Sequence, residues 1–245
     1  MKIRNLSKKF ISRSGLTVTL INDLNIEIEE KSIISILSPF GSGKSTLLKI
    51  IAGQEEKTAG EIIPESHSKT VFIPSGKSSF PWFSVNENFN LVSQKQDLKE
   101  EIIRLVELEG YENHTPGSES IGFRFLISFG MALLSGADLI LADDPFSNVS
   151  DLMKERIIRI IRKARDSKGV SVILATSNVS DSVLFSDKVI VMKSNPMNAA
   201  GVIEINTSAK REALYLKTPE ADGFKGRIIE LFNRSNTDKA ISISI

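Results

Sequence analysis

The chain has no cysteine, which excludes disulfides and thiolate metal sites and is compatible with a reducing compartment. It also lacks an excess of either charge. Lysine and arginine total 31 against 30 aspartates and glutamates, and the formal net charge of +1 gives no global field to gather nucleic acid or anionic lipid. No apolar run approaches the roughly 18 residues needed to cross a bilayer. Met1 to Phe10 carry Lys2, Arg4, Lys8 and Lys9 with no signal-like apolar stretch, so neither membrane insertion nor ordinary export is expected. Histidine is scarce: His67 falls in a Pro/Ser-rich loop and His114 in an Asn/Thr/Pro loop, and both are expected to be solvated. There is no internal repeat and no low-complexity tract. What is present is the composition of a globular chain, 245 residues with 41% hydrophobic and 25% charged, enough for a substantial core.

Leu16 to Glu29 alternates partially between polar and apolar residues, as antiparallel strands covered on one face do. Short, nearly continuous apolar runs follow at Ile33 to Leu37, Val71 to Ile73, Leu139 to Ala142, Val170 to Ala175 and Val189 to Met192, the pattern of buried parallel strands. Between them lie helical periodicities. Leu98, Ile102, Leu105 and Val106 share one face, as do Met153, Ile157, Ile160, Ile161 and Ala164. Strands alternating with helices predict an open α/β sheet behind an N-terminal antiparallel layer. The stretch after Phe232 is polar, then β-prone, with no evident core role.

Ser38-Pro39-Phe40-Gly41-Ser42-Gly43-Lys44-Ser45-Thr46 sits between the strand ending at Leu37 and a helix expected over Leu47 to Ala52. A glycine-rich strand-to-helix turn of this kind cradles phosphate with consecutive backbone N–H groups. Lys44 would reach the β- and γ-phosphates of a nucleotide and Ser45 would ligate Mg²⁺. The strict P-loop pattern has glycine at position 38. Ser38 precedes a proline, is thereby confined to extended φ/ψ, and needs no left-handed conformation. The alternative for the segment is a simple helix-capping turn.

The strand Leu139 to Ala142 ends in Asp143 and Asp144. Buried carboxylates need compensation. Asp143 can hold Mg²⁺ directly or through water, and Asp144 can face the γ-phosphate and polarise the attacking water. Taken alone the pair could equally cap a turn; beside a P-loop, the catalytic reading gains weight.

With these motifs in hand, the chain resembles the ABC transporter ATPases. Ser79-Phe80-Pro81-Trp82-Phe83-Ser84-Val85-Asn86-Glu87-Asn88-Phe89 is similar to the Leu-Pro-Trp-Leu-Thr-Val-x-Glu-Asn-Val stretch of the nitrate, sulfonate and taurine importer branch. Asn195-Pro196, Gly201 to Glu204 and Thr218 to Phe232 resemble the end of that branch. The resemblance implies a P-loop NTPase of ABC type with a RecA-like core, the N-terminal β layer and an inserted α-helical lobe. It implies one nucleotide-binding domain over residues 1–245: β layer and P-loop core at 1–78, helical lobe at 79–135, second part of the core at 136–210, C-terminal helix and tail at 211–245. ATP and Mg²⁺ are the implied cofactors. Ser38, Gly41, Ser42, Gly43, Lys44, Ser45 and Thr46 would bind the nucleotide, Ser45 and Asp143 the metal, and Phe10 would stack on adenine, although alone Phe10 reads as core. A transmembrane permease subunit is the implied partner, with no nucleic acid, and the chain would sit in the cytoplasm on the inner face of the membrane.

Several family positions are altered. The signature Leu-Ser-Gly-Gly-Gln corresponds to Glu119-Ser120-Ile121-Gly122-Phe123, followed by Arg124 and a helix expected over Phe125 to Leu134. Ser120 and Gly122 survive as nucleotide-contacting positions. The glutamine after the strand ending at Ile73 falls near Ser75, the catalytic glutamate is Asp144, the loop aspartate is Ser150 or slips to Asp151, and the histidine after Thr176 is Ser177. Asp144 and Ser177 are therefore the catalytic positions, and Mg²⁺-ATP binding with slow or absent hydrolysis is expected. Three readings follow: a transport ATPase of low activity, an inert nucleotide-binding subunit supporting an active partner, and a non-transport P-loop enzyme. The last lacks the coiled-coil insertion or duplicated domain such proteins carry. A homodimer and a heterodimer with a second nucleotide-binding subunit both remain open.

Overall fold

The computed structural model describes residues 1–12, 15–64, 69–76, 78–117, 120–207 and 211–235. Strand β1 (Lys2–Ile11) pairs antiparallel with β2 (Thr17–Glu27). Strand β3 (Ile33–Leu37) leads into helix α1 (Lys44–Ile51), and β4 (Ala59–Ile63) returns to pair antiparallel with β1, giving a three-stranded layer in the order β2-β1-β4. Asn5 and Asp23 take positive φ of 50° where the β1 register slips, and Asn5 Nδ2 donates to Asp23 Oδ1 at 2.7 Å. Asparagine and aspartate tolerate that left-handed conformation better than most residues, and a bulge re-aims the strand.

After β5 (Thr70–Ile73) the chain builds α2 (Val85–Asn90), α3 (Gln96–Leu105) and α4 (Ile121–Leu134). It then alternates β6 (Leu139–Asp143), α5 (Asp151–Lys168), β7 (Ser171–Thr176), α6 (Val179–Phe185) and β8 (Lys188–Lys193). Strand β9 (Asn198–Glu204), a 3-10 turn Ala213–Lys217 and α7 (Pro219–Ser235) complete it. The second sheet runs β5-β6-β7-β3-β8-β9, parallel except for β9.

β3, β6 and β7 are buried at every residue, as a parallel strand covered on both faces must be. Their side chains split by strand period. Ile33 and Leu37 join the core under the helices, while Ile34 and Ile36 join the core shared with α1 and the antiparallel layer. β5 departs from the expected buried strand: three of its four residues are half-buried, because it lies at the edge with β6 as its sole ladder partner. Two helices also begin earlier than their apolar pattern suggests. α1 starts at Lys44, inside the P-loop, and α4 starts at Ile121, because Ser120 Oγ accepts from Phe123 N at 3.3 Å and caps it. The tail from residue 236 onward lies outside the described residues.

The helical lobe is entered through a pinned aromatic loop. Ser84 and Glu87 form a capping box that starts α2. Asn88, fully buried, donates from Nδ2 to the carbonyls of Phe80 (3.1 Å), Phe83 (3.1 Å) and Ser84 (2.9 Å), and its Oδ1 accepts from Phe80 N at 3.0 Å. Buried Arg124 of α4 reaches the same loop, Nη2 donating to Ser79 O at 2.7 Å. With its backbone held from below, the loop presents Phe80, Trp82 and Phe83 as a ring cluster with centroids 5.8–6.2 Å apart, Phe80 and Trp82 exposed. Asn88→Ala removes the side-chain partner of Phe83 O and Phe80 N, while Phe80 O and Ser84 O keep their backbone donors, at a cost of about 1–3 kcal/mol. Trp82 is the sole tryptophan, so its fluorescence anisotropy should fall in the variant together with the urea midpoint. Unchanged values for both would remove Asn88 from this role.

Candidate functional site

The sheet delivers its chemistry at the carboxyl ends of three neighbouring strands, β6, β7 and β3. From β3 the chain turns through residues 38–43 into α1. Ser38 is not among the residues with positive φ, so the serine is accommodated without strain, and its N–H donates to Thr176 O at 3.2 Å. Gly43, at the helix N-cap, has φ 107°, and an added Cβ would lie 2.9 Å from Leu20 Cγ. Glycine is therefore required there by conformation and by the packing of β2 on the loop. No side chain caps α1 and no acidic residue occupies its first turn. Its leading N–H groups and dipole are left for an anion.

Lys44 is buried, and its ammonium donates to Ser38 O at 2.9 Å and Pro39 O at 2.8 Å. Burial holds its pKa below the usual lysine value, opposed by the nearby charges of Asp144 and Asp143. The hydroxyls of Ser38 and Ser42 are buried with no protein partner. Orphaned donors, an uncapped helix start and a lysine folded onto its own loop are what a phosphate group would satisfy, so the residues fit the nucleotide and Mg²⁺ that the P-loop pattern implies. Ser45 is exposed at the first turn of α1 and Thr46 is half-buried behind it. Gly41 has φ 74°, again left-handed.

Across from the loop, β6 ends at buried Asp143. Asp144 follows at φ 45°, its N–H donating to Ala175 O at 2.9 Å and its carbonyl accepting from Ser147 N at 3.3 Å. That turn swings Asp144 out of the strand toward the lysine. Burial raises its pKa, Lys44 opposes the rise, Asp143 adds to it, and Lys154 opposes it in turn. Lys44, Asp143 and Asp144 are thus one electrostatic group. Ser177 follows β7 directly, in a segment where Thr176 Oγ1 accepts from Asn178 N at 3.1 Å and Asn178 Oδ1 caps α6 through Asp181 N at 2.8 Å. Sequence reasoning missed the neighbouring ion pair. Lys154 Nζ contacts both carboxylate oxygens of Asp181, at 2.9 and 3.1 Å, and both side chains are largely buried. Burial raises the Asp181 pKa, Lys154 counters it, and Asp144 and Asp151 push it further up. The signal was positional: both residues lie in the first turns of the helices that follow β6 and β7.

Ser120 and Gly122 lie at the start of α4, where packing accounts for them. The Ser120 hydroxyl is engaged as the helix cap. A Cβ on Gly122 would lie 2.4 Å from Met153 Cγ and 3.4 Å from Val149 Cγ1, so α4 and the start of α5 touch at that point. Phe123 turns inward, its ring 5.5 Å from Tyr111 and 5.6 Å from His114, so His114 is exposed yet part of an aromatic triad. Glu119 and His67 lie outside the described residues. Phe10, 41% exposed, pairs with Val18 of β2, two residues from the Leu20 that packs on Gly43. At about 3.3 Å per strand residue, Phe10 sits across from a position roughly 7 Å along β2 from Leu20, and its exposure takes it out of the core.

Comparison with known proteins agrees with this arrangement. The ABC transporter family profile matches residues 21–147, slightly more than half the chain. The chain is 28% identical to the aliphatic sulfonates import ATP-binding protein SsuB of Bacillus thuringiensis, over 86% of this chain and 88% of that protein. It is 25% identical to the bicarbonate transport ATP-binding protein CmpC of Synechococcus elongatus, over 98% of this chain and 39% of that one. Among solved structures, the dimeric ABC transporter cassette MJ0796 superposes with a TM-score of 0.71 at 23% identity, covering 84% of this chain and 99% of the cassette, a likeness of fold. The matched segment holds the P-loop, the pinned aromatic loop and the acidic pair, and the chain belongs to the ABC transporter family as an ATP-binding subunit.

Proposed function

We propose that this subunit binds Mg²⁺-ATP at the carboxyl ends of β3, β6 and β7, hydrolyses it slowly, and couples that cycle to import through a separate transmembrane permease. The observation that carries the reading is the Lys44 ammonium held among the P-loop carbonyls, Asp143 and Asp144, beside an uncapped helix start. With nucleotide bound, Lys44 leaves its own carbonyls for the β- and γ-phosphates, and the α1 N–H groups take the β-phosphate. Ser45 and Asp143 are the residues that would hold Mg²⁺, which supplies charge neutralisation on the phosphates. The Asp144 carboxylate, raised in pKa by burial, is the group available to accept the proton of the attacking water. It is one methylene shorter than glutamate, and Ser177 replaces an imidazole. A displacement of about 1 Å costs on the order of 10²-fold in rate, so binding outlasts catalysis in this site.

No helix among the described residues is long and apolar enough to cross a membrane. The ring cluster of exposed Phe80 and Trp82 with half-buried Phe83 offers an apolar contact on a pinned loop, which supports docking onto a permease at the cytoplasmic face. The names of the relatives, sulfonate and bicarbonate transport proteins, support a small anion as cargo. An inert scaffold is not favoured, because the phosphate-binding residues are intact. Pairing with a second nucleotide-binding subunit of consensus sequence would supply the catalytic groups that two copies of this chain lack.

Lys44→Ala should abolish ATP binding in equilibrium titration, since no other cation in the loop balances the phosphates; unchanged affinity would refute the P-loop assignment. Asp144→Glu combined with Ser177→His should raise phosphate release by roughly ten- to a hundredfold. A double variant that binds ATP normally and gains nothing would show that the block lies elsewhere. Native mass measurement of the purified complex should find one copy of this chain beside a second nucleotide-binding subunit, and two copies with no other such subunit would refute the heterodimer.

A further inference from the structure

Lys8 is a lysine where a strand of this layer should carry something apolar. It is 7% exposed, while its neighbours Lys9 and Phe10 face solvent. Burying an ammonium is tolerable only when its donors are used. Lys8 Nζ donates to Glu55 Oε1 and to the Glu56 carbonyl, both at 2.6 Å, and lies 4.5 Å from the centroid of the Phe10 ring. The ammonium covers one face of that ring, and the 41% exposure of Phe10 belongs to what remains. Glu55 and Glu56 follow the end of α1 by a few residues, so the lysine ties Phe10 to the helix whose other end forms the phosphate cradle.

We propose that Lys8 is a positioning residue for the nucleobase. It holds the Phe10 ring in one orientation and draws π density toward its covered face, preparing the open face to stack a purine. This rests on Phe10 being the base platform of the proposed nucleotide site. The physics is that of a cation over an aromatic face, with a second aromatic system added on the opposite side. A ring fixed before binding loses less freedom when the base arrives. The effect should therefore be confined to ligands that carry a base.

The test uses the full chain, titrated with ATP and, separately, with inorganic tripolyphosphate. Lys8→Met keeps the side-chain length and removes the charge. It should weaken ATP binding roughly three- to tenfold, leave tripolyphosphate binding within about twofold, and be largely rescued by Lys8→Arg. In a Phe10→Ala background the same substitution should have no further effect on ATP. Lys8→Gln, which can still donate to the Glu56 carbonyl, is the second neutral variant and should give the same split if Lys8→Met does not fold. Equal weakening of ATP and tripolyphosphate would overturn the proposal, because Lys8 would then be supporting the phosphate loop. So would unchanged ATP affinity in both neutral variants while Phe10→Ala still weakens it, an outcome that leaves the platform itself standing. Phe10→Ala without effect on ATP would remove the platform, and the proposal with it.

Discussion

The buried ammonium of Lys44 is the constraint around which the rest is arranged. A lysine inside a protein is unstable without anions or carbonyls around it, and here the loop that precedes it supplies two carbonyl oxygens while β6 supplies two carboxylates. That requirement fixes the order of the sheet near its centre. β3 ends where Ser38 and Pro39 turn back over the lysine, β6 ends at Asp143 with Asp144 directly after it, and β7 lies between the two strands. Gly43 completes the geometry, since only glycine combines its φ with the closeness of Leu20. Asp143 and Asp144 face the ammonium of Lys44, and Lys154 also acts on Asp144. Phosphate bound in the proposed site would add further negative charge, which the Mg²⁺ implied by the P-loop pattern would neutralise.

Asp144 is pulled two ways. Burial and Asp143 favour its protonated form, Lys44 and Lys154 its charged form, and Lys154 is itself committed to Asp181 through a bidentate contact. The Lys154–Asp181 pair joins the first turns of α5 and α6, the two helices that begin just past Asp144 and Ser177. A buried pair of this kind contributes little net stability but costs several kcal/mol when half of it is removed. It acts here as a brace between the helix starts that follow Asp144 and Ser177.

The strand pattern was legible because parallel strands buried on both faces are apolar throughout, and the P-loop because glycine, lysine and serine at that spacing on a strand-to-helix turn have few other uses. The edge strand β5 misled because an apolar run of three residues reads alike in a central and an edge position. Helix starts were late because α1 and α4 begin with Lys44-Ser45 and Ile121-Gly122, where a capped or phosphate-binding N-terminus carries no apolar periodicity. The Asn88 hub and the Lys154–Asp181 pair were hidden for a common reason. A polar residue inside a helix reads as solvent-facing until the packing shows which backbone or carboxylate it meets.

The segment that resembles the family signature is shaped by its packing. Phe123, at the position of a family glutamine, is drawn into an aromatic triad with Tyr111 and His114, and Gly122 is required by the approach of Met153. The start of α4 is thus shaped by its own core, with its serine hydroxyl used as a cap. The P-loop half of the site shows the opposite. Its hydroxyls are orphaned, its helix is uncapped and its lysine is folded onto carbonyls that it would leave for phosphate. Internal packing accounts for the start of α4, while the P-loop carries buried hydroxyls on Ser38 and Ser42 without a protein partner. Such a division is what the proposed reading requires of a subunit that would hold ATP through its own P-loop and take the closing contact from another chain.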